Sequence, residues 1–214
     1  NMKKLTFLIL ISAIGLMISC GNNYEGTPYS DSEYVGGAQI IPGKVQCEYY
    51  DHGGEGVAYH DTDSTNSGSG GLNKGEGYLN TFRINEAVDI SYTKFHDNID
   101  NSPYNIVETV ADQLYVGWTE PGEWTKYTVI VEKAGTYQVG IMYTANANGQ
   151  IALSVNDLNL TGPLDILSTN VEADTLNWRQ WHHWNYLDAI AEVNLEKGVQ
   201  TLTIHTVANG QMNY

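Results

Sequence analysis

From Gln39 onward the chain is a succession of short runs in which apolar and polar side chains alternate, separated by turn-forming residues. Trp124–Val131 and Thr136–Tyr143 are two such runs, and Glu132-Lys-Ala-Gly135 between them is a hairpin-type connection. Gln150–Val155, Ala189–Leu195 and Gln200–Thr206 follow, with Lys197-Gly198 as another turn signal. No window carries a 3.6-residue apolar repeat, and no segment repeats another. Several short strands with regular turns predict an all-β fold, an antiparallel β-sandwich of jelly-roll topology. Gly53–Gly77 stands apart, being dominated by Gly, Ser, Asn, Asp and Thr. A loop of that length inside a compact domain is usually functional.

The first residues read differently. Lys3 and Lys4 precede an apolar run, Leu5–Ile18, that ends at Ser19-Cys20. These are the charged and apolar regions of a secretory signal, and the run is short for a bilayer-spanning helix. Leu16-Met-Ile-Ser-Cys20 resembles a bacterial lipobox, which implies a signal peptide over 1–19, acylation of Cys20 and a lipid-anchored, exported protein. Gly21 after the cysteine favours the outer membrane or cell surface over retention at the inner membrane. Residues 20–38 lack periodicity and read as an acylated start followed by a flexible tether, leaving 39–214 as the folded module.

Composition narrows the partners. The chain has 25 Asp+Glu against 10 Lys+Arg, a formal net charge of -15. Loss of Lys3 and Lys4 with the signal would leave 8 against 25, or -17. Such a surface repels phosphate backbones and anionic lipid, so nucleic acid is excluded as a partner and membrane contact is expected only through the anchor. With Cys20 assigned to lipid, Cys47 has no partner for a disulfide. Alternation places Val45, Cys47 and Tyr49 on one strand face and Gln46 and Glu48 on the other, so Cys47 reads as a small buried hydrophobe.

No catalytic arrangement emerges. Glu120, Glu123 and Glu132 are explained more simply as strand-edge and turn acids than as a glycosidase pair, and nucleophile-elbow and zinc-protease motifs are absent from the sequence. His182-His183 would face opposite sides of a strand and so would not share one ion. The sharper signal is aromatic: 15 Tyr and 5 Trp against 3 Phe, an excess of rings with a polar tip that suits wet binding surfaces. In Trp178-Arg-Gln-Trp181, read as a strand, one indole can enter the core while Trp178 stays exposed. A flat exposed indole suits the C–H face of a sugar ring, and Trp118 is the second candidate wall.

Six motifs in order, Val45–Asp51, Gly56–Asp63, Thr81–Ile90, Tyr115–Trp124, Ala134–Tyr137 and Trp178–Trp181, together closely resemble a family 6 carbohydrate-binding module. The resemblance implies a noncatalytic jelly roll that binds polysaccharide or oligosaccharide. Its principal site would use Trp118 and Trp178 as the aromatic clamp, Asn213 as the amide that hydrogen-bonds the sugar, and Asp61, chosen over His60, as the acid of the early loop. A possible second site would use Trp124. A structural calcium would be held by the outward side chains of the first strand, Gln46 and Glu48. Asn213-Tyr214 matches the middle of the family's last strand, which implies a module cut short there and a missing calcium ligand. Tyr92–Ala111, containing Tyr104, is an insertion relative to compact members. The alternative reading is the N-terminal, glycan-targeting module of a longer surface glycoside hydrolase whose catalytic domain is absent from this chain.

Overall fold

The computed structural model describes residues 24–214; the expected signal peptide over 1–19 and the lipidation site Cys20 lie outside the described residues. Twelve strands follow in chain order: β1 Gln39–Ile41, β2 Tyr59–His60, β3 Ile90–Tyr92, β4 Leu114–Val116, β5 Trp124–Val131, β6 Gly135–Ala145, β7 Gly149–Val155, β8 Leu158–Asn159, β9 Leu164–Ile166, β10 Asn185–Leu195, β11 Gly198–Ala208 and β12 Met212–Asn213. The one α-helix of the described residues is a single turn, Tyr78–Thr81. None of their helices is long and apolar enough to cross a membrane.

Two layers form the sandwich. One is the order β1-β5-β11-β7-β8, with β2 also pairing β5 and β9 pairing β7. The other is β10-β6-β12, extended to β4 and β3 because Val116 and Tyr214 exchange backbone hydrogen bonds at 3.0 and 2.9 Å. The expected β-sandwich is present, with one parallel pairing, β1 on β5, in an otherwise antiparallel arrangement. Glu132–Ala134 does not close a hairpin, however. β5 spends its edges on β11, β1 and β2, while β6 pairs β10 and β12, so the connection crosses from one layer to the other.

Alternation along β5 explains the core. Thr125, Tyr127, Val129 and Val131 are buried, whereas Trp124 and Lys126 face outward. Tyr127 and Val129 share one hydrophobic core with Ile151, Leu153, Ile204 and Tyr143. Each large apolar side chain so buried contributes on the order of 2 kcal/mol. Part of the interlayer space is open, a cavity of about 300 Å³ lined by Leu114, Val139, Ile141, Leu153, Ile204 and Tyr214 among others, with Gln46 and Glu48 also on its wall.

Two expectations at the N-terminal side are corrected. The described part of the segment read as a flexible tether packs on the module. Thr27 and His52 exchange backbone hydrogen bonds at 2.9 and 2.8 Å, Tyr29 is buried, and Tyr34 stacks on Tyr49 with ring centroids 3.9 Å apart. Tyr29 also meets Phe82 at 5.5 Å, and Asp31 accepts hydrogen bonds from Tyr78 Oη at 2.9 Å and from the Tyr34 amide at 2.7 Å. Weak local patterning concealed aromatic rings whose partners lie far along the chain. Second, Cys47–Tyr49 is a turn of 3-10 helix rather than strand, so strict alternation fails there and Glu48 is the buried residue. The inertness expected of Cys47 fits, since burial pushes its thiol up to about 12.

Candidate functional site

Trp118 follows β4 on a backbone with φ of 50°, in the left-handed region that a bulky residue adopts only where its surroundings impose it. The imposing bonds are on both sides. Gly117 N–H donates to Asp89 O at 2.9 Å, and Thr119 Oγ1 donates to Met212 O at 3.2 Å and accepts from the Met212 amide at 3.1 Å. The indole remains 37% exposed.

Trp178 lies in a 3-10 helix, Asn177–Trp181, not a strand. The strand argument for its exposure therefore does not apply, although the indole is exposed at 46%. The residues after it are firmly held. Arg179 donates to both carboxylate oxygens of buried Asp174 at 2.6 and 2.8 Å, and that pairing keeps the Asp174 carboxyl well below the usual carboxylate range. Gln180 bonds both the amide and the carbonyl of Val171 at 2.8 Å. His182 and His183 point to separate acids, Asp100 at 3.0 Å and Asp174 at 2.8 Å.

Asn213 connects the two aromatic segments. It is buried, its Nδ2 donates to Trp181 O at 2.6 Å, and the same carbonyl accepts from Thr144 Oγ1 at 2.7 Å. On the other side its Oδ1 lies against Gly117, so closely that a Cβ on Gly117 would come within 2.8 Å. Glycine before Trp118 thus makes room for the amide. Asn213 thus links Gly117, the residue before Trp118, to Trp181, the last residue of the 3-10 helix that carries Trp178, although 118 and 213 are 95 positions apart in sequence.

Asp61 lines a shallow depression together with Gly117, Thr119, Glu123, Trp124 and Tyr214. Its loop is tied down by Glu123, whose Oε1 accepts from the Thr62 hydroxyl at 2.7 Å and the Thr62 amide at 3.2 Å. Burial, reinforced by nearby Glu123 and Asp89, pushes the Asp61 carboxyl up to about 7. Asp89, also partly buried and beside Asp63, is pushed up to about 6. Trp124 starts β5 beside His60, with ring centroids 6.4 Å apart. The Lys126 ammonium sits 5.2 Å from the centre of its ring, so the possible second platform is half-buried and already carries a cation.

Gln46 and Glu48 do come together, Gln46 Nε2 donating to Glu48 Oε1 at 3.0 Å. They are not the outward pair expected of a strand. Glu48 is buried, and burial pushes its carboxyl up to about 7. A calcium shell needs six to eight oxygens, and Gln46 turns an N–H toward the carboxylate rather than an oxygen toward an ion. Among the described residues no group of three or more His, Cys, Asp or Glu is arranged to hold a metal. These two residues alone do not fit a calcium site.

Sequence reasoning missed the buried acids Asp100 and Asp174. Nothing local distinguishes them from loop acids; only the following Arg179 and the His182-His183 pair hinted at partners.

A search of the curated proteins found no match. Solved structures similar to this chain include a family 35 carbohydrate-binding module from Clostridium thermocellum, at 22% identity and a TM-score of 0.39, covering 51% of this chain and 77% of that one. The C-terminal family 6 module of a marine laminarinase from Zobellia galactanivorans matches at 17% identity and a TM-score of 0.36, covering 47% and 73%. A module of lichenase 5A from Cellvibrio mixtus, solved with cellotriose, matches at 22% and 0.35, covering 47% and 71%. The family model described as carbohydrate binding module (family 6) matches residues 94–214, more than half of the chain. That span contains Trp118, Trp124, Trp178 and Asn213, while Gln46, Glu48 and Asp61 precede it. On that match the chain belongs to the family 6 carbohydrate-binding modules.

Proposed function

We propose that this module binds a polysaccharide or oligosaccharide noncatalytically by stacking one sugar ring between Trp118 and Trp178. The observation that carries the reading is Asn213. Its amide donates to the segment bearing Trp178 and abuts the glycine before Trp118. Two exposed indoles supply flat apolar faces for sugar C–H groups, and the Asn213 amide and the Asp61 carboxyl supply polar partners for hydroxyls. A neutral sugar also suits an acidic chain, because it brings no like charge. By analogy with other π-face contacts, stacking contributes about 1 kcal/mol or more per aromatic, so single sites of this kind bind in the micromolar range or weaker.

The clamp is tested by affinity electrophoresis of the full chain through gels containing laminarin, lichenan or xylan, and by titration with cellotriose. Retention by at least one, abolished in Trp118→Ala and in Trp178→Ala, is the expected result. Retention unchanged in both variants would overturn the clamp.

The proposal extends to the cell surface. Lys3, Lys4, the apolar run Leu5–Ile18 and Cys20 support export and lipid anchoring through Cys20, which would hold the module at the outer membrane. Metabolic labelling with a tagged fatty acid, lost in Cys20→Ser, is the expected outcome; equal labelling of the variant would contradict it.

A further inference from the structure

We propose that Asp100, carried by the segment Tyr92–Ala111, is a positioning residue for Trp178; this rests on the clamp reading above. The aromatic ring packed against the exposed Trp178 indole is that of His182, edge to face, with centroids 6.3 Å apart and planes at 73°. His182 Nδ1 is held at 3.0 Å by Asp100 Oδ1. The same oxygen accepts from Trp184 Nε1 at 2.7 Å, and Asp100 Oδ2 accepts from the Lys94 amide at 2.6 Å. Asp100 is fully buried. One carboxylate therefore fixes the two aromatic residues 182 and 184 from beneath the helix that presents Trp178.

The rest of that segment is stitched to the same place. The Asp100 carbonyl accepts from Asn105 Nδ2 at 2.6 Å and Thr109 Oγ1 at 2.8 Å, and the Ile106 amide donates to Trp184 O at 2.8 Å. Asn98 O accepts from Arg179 Nη1 at 3.2 Å, and the Arg179 guanidinium lies 5.4 Å from the centre of the Tyr104 ring. Residues on both sides of Asp100 thus hold the neighbour that follows Trp178.

A buried carboxylate is costly, and apolar replacements of buried charges are often neutral or stabilising. Fold stability alone is a weak reason to keep one here. Holding an exposed indole in its binding pose is a stronger one, since a preorganised aromatic anchor loses less freedom when the ligand arrives. Asp100 contacts no sugar in this account and acts through His182.

The test compares full-length wild type, Asp100→Ala, Asp100→Asn, His182→Ala and Trp178→Ala on whichever of laminarin, lichenan, xylan or cellotriose the wild type binds. Each is labelled with 5-fluorotryptophan, and the Trp178 resonance is assigned by its loss in Trp178→Ala. Well below the melting temperature, Asp100→Ala is expected to weaken binding by about five- to tenfold, with the Trp178 resonance broadened or split. Asp100→Asn, which keeps one oxygen for both donors, is expected to restore much of the affinity. Should Asp100→Ala fail to fold, His182→Ala carries the same expectation. Affinity within twofold of wild type and an unchanged Trp178 resonance in the folded variants would overturn the positioning role while leaving the clamp intact. Undiminished binding by Trp178→Ala would overturn the clamp, and this role with it.

Discussion

Replacing Gly117 by alanine isolates the amide at the centre of the proposed site without touching either indole. The backbone at Gly117 is outside the left-handed region, so alanine meets no strain from φ. Its new Cβ would instead stand 2.8 Å from Asn213 Oδ1 and 3.2 Å from Tyr115 Cε2. The first contact must yield, and the softer partner is the Asn213 amide, whose rotation breaks its 2.6 Å bond to Trp181 O. Trp181 O keeps Thr144 Oγ1 as a donor at 2.7 Å and is not orphaned. The cost to stability is then about 1 kcal/mol for one hydrogen bond, offset by roughly 0.4–1 kcal/mol from the less flexible unfolded chain. Thermal melts should show little net change. Binding should fall about fivefold, because one sugar hydrogen bond worth roughly 1 kcal/mol loses its aim. In an Asn213→Ala background the amide is gone and only the 3.2 Å contact with Tyr115 Cε2 remains, so Gly117→Ala should then change affinity by less than twofold. The expected coupling in that double-mutant cycle is about 1 kcal/mol. Calorimetric titration of the four proteins measures it, and additive effects, or wild-type affinity in Gly117→Ala, would show that Gly117 does not act through the Asn213 amide.

Two further outcomes follow from the packing and the charges. The folded carboxyls of Asp61, at about 7, and Asp89, at about 6, lie above their ordinary value near 3.8 because burial and neighbouring acids disfavour their charge. The folded state therefore holds protons that the unfolded chain has released, and stability should decline as pH rises through the window from about 4 to about 7. Melts across that range should show the decline flattened in Asp61→Asn; a melting temperature that rises toward pH 7 with the same slope in both proteins would contradict it. Deleting 24–37 from a protein beginning at residue 24 removes buried Tyr29 and the stack of Tyr34 on Tyr49. It should cost about 2 kcal/mol or more from lost apolar burial, and an unchanged melting temperature would show that the segment does not brace the module.

The long strands were legible because half-buried sheets impose period-2 alternation: the run Trp124–Val131 coincides with β5. Pairing was not legible, since Glu132–Ala134 has hairpin composition yet joins different layers, and only the competition for strand edges decides that. Trp118, Trp178 and Asn213 were reached through motif resemblance, and the structure adds the reason for Gly117 in the motif. The aromatic contacts of Tyr29 and Tyr34, and the acids Asp100 and Asp174, left no local trace because their partners are distant or depend on a fold that has first to form. Val45–Tyr49 misled because a 3-10 turn can carry an alternating sequence without being a strand.

Whether Trp118 and Trp178 form the sugar clamp is decided by glycan retention of the Trp118→Ala and Trp178→Ala variants beside wild type on the same polysaccharide gels. A two-indole clamp requires that wild type be retarded by at least one glycan and that both variants migrate as in glycan-free gel. Retardation of both variants equal to wild type would contradict it.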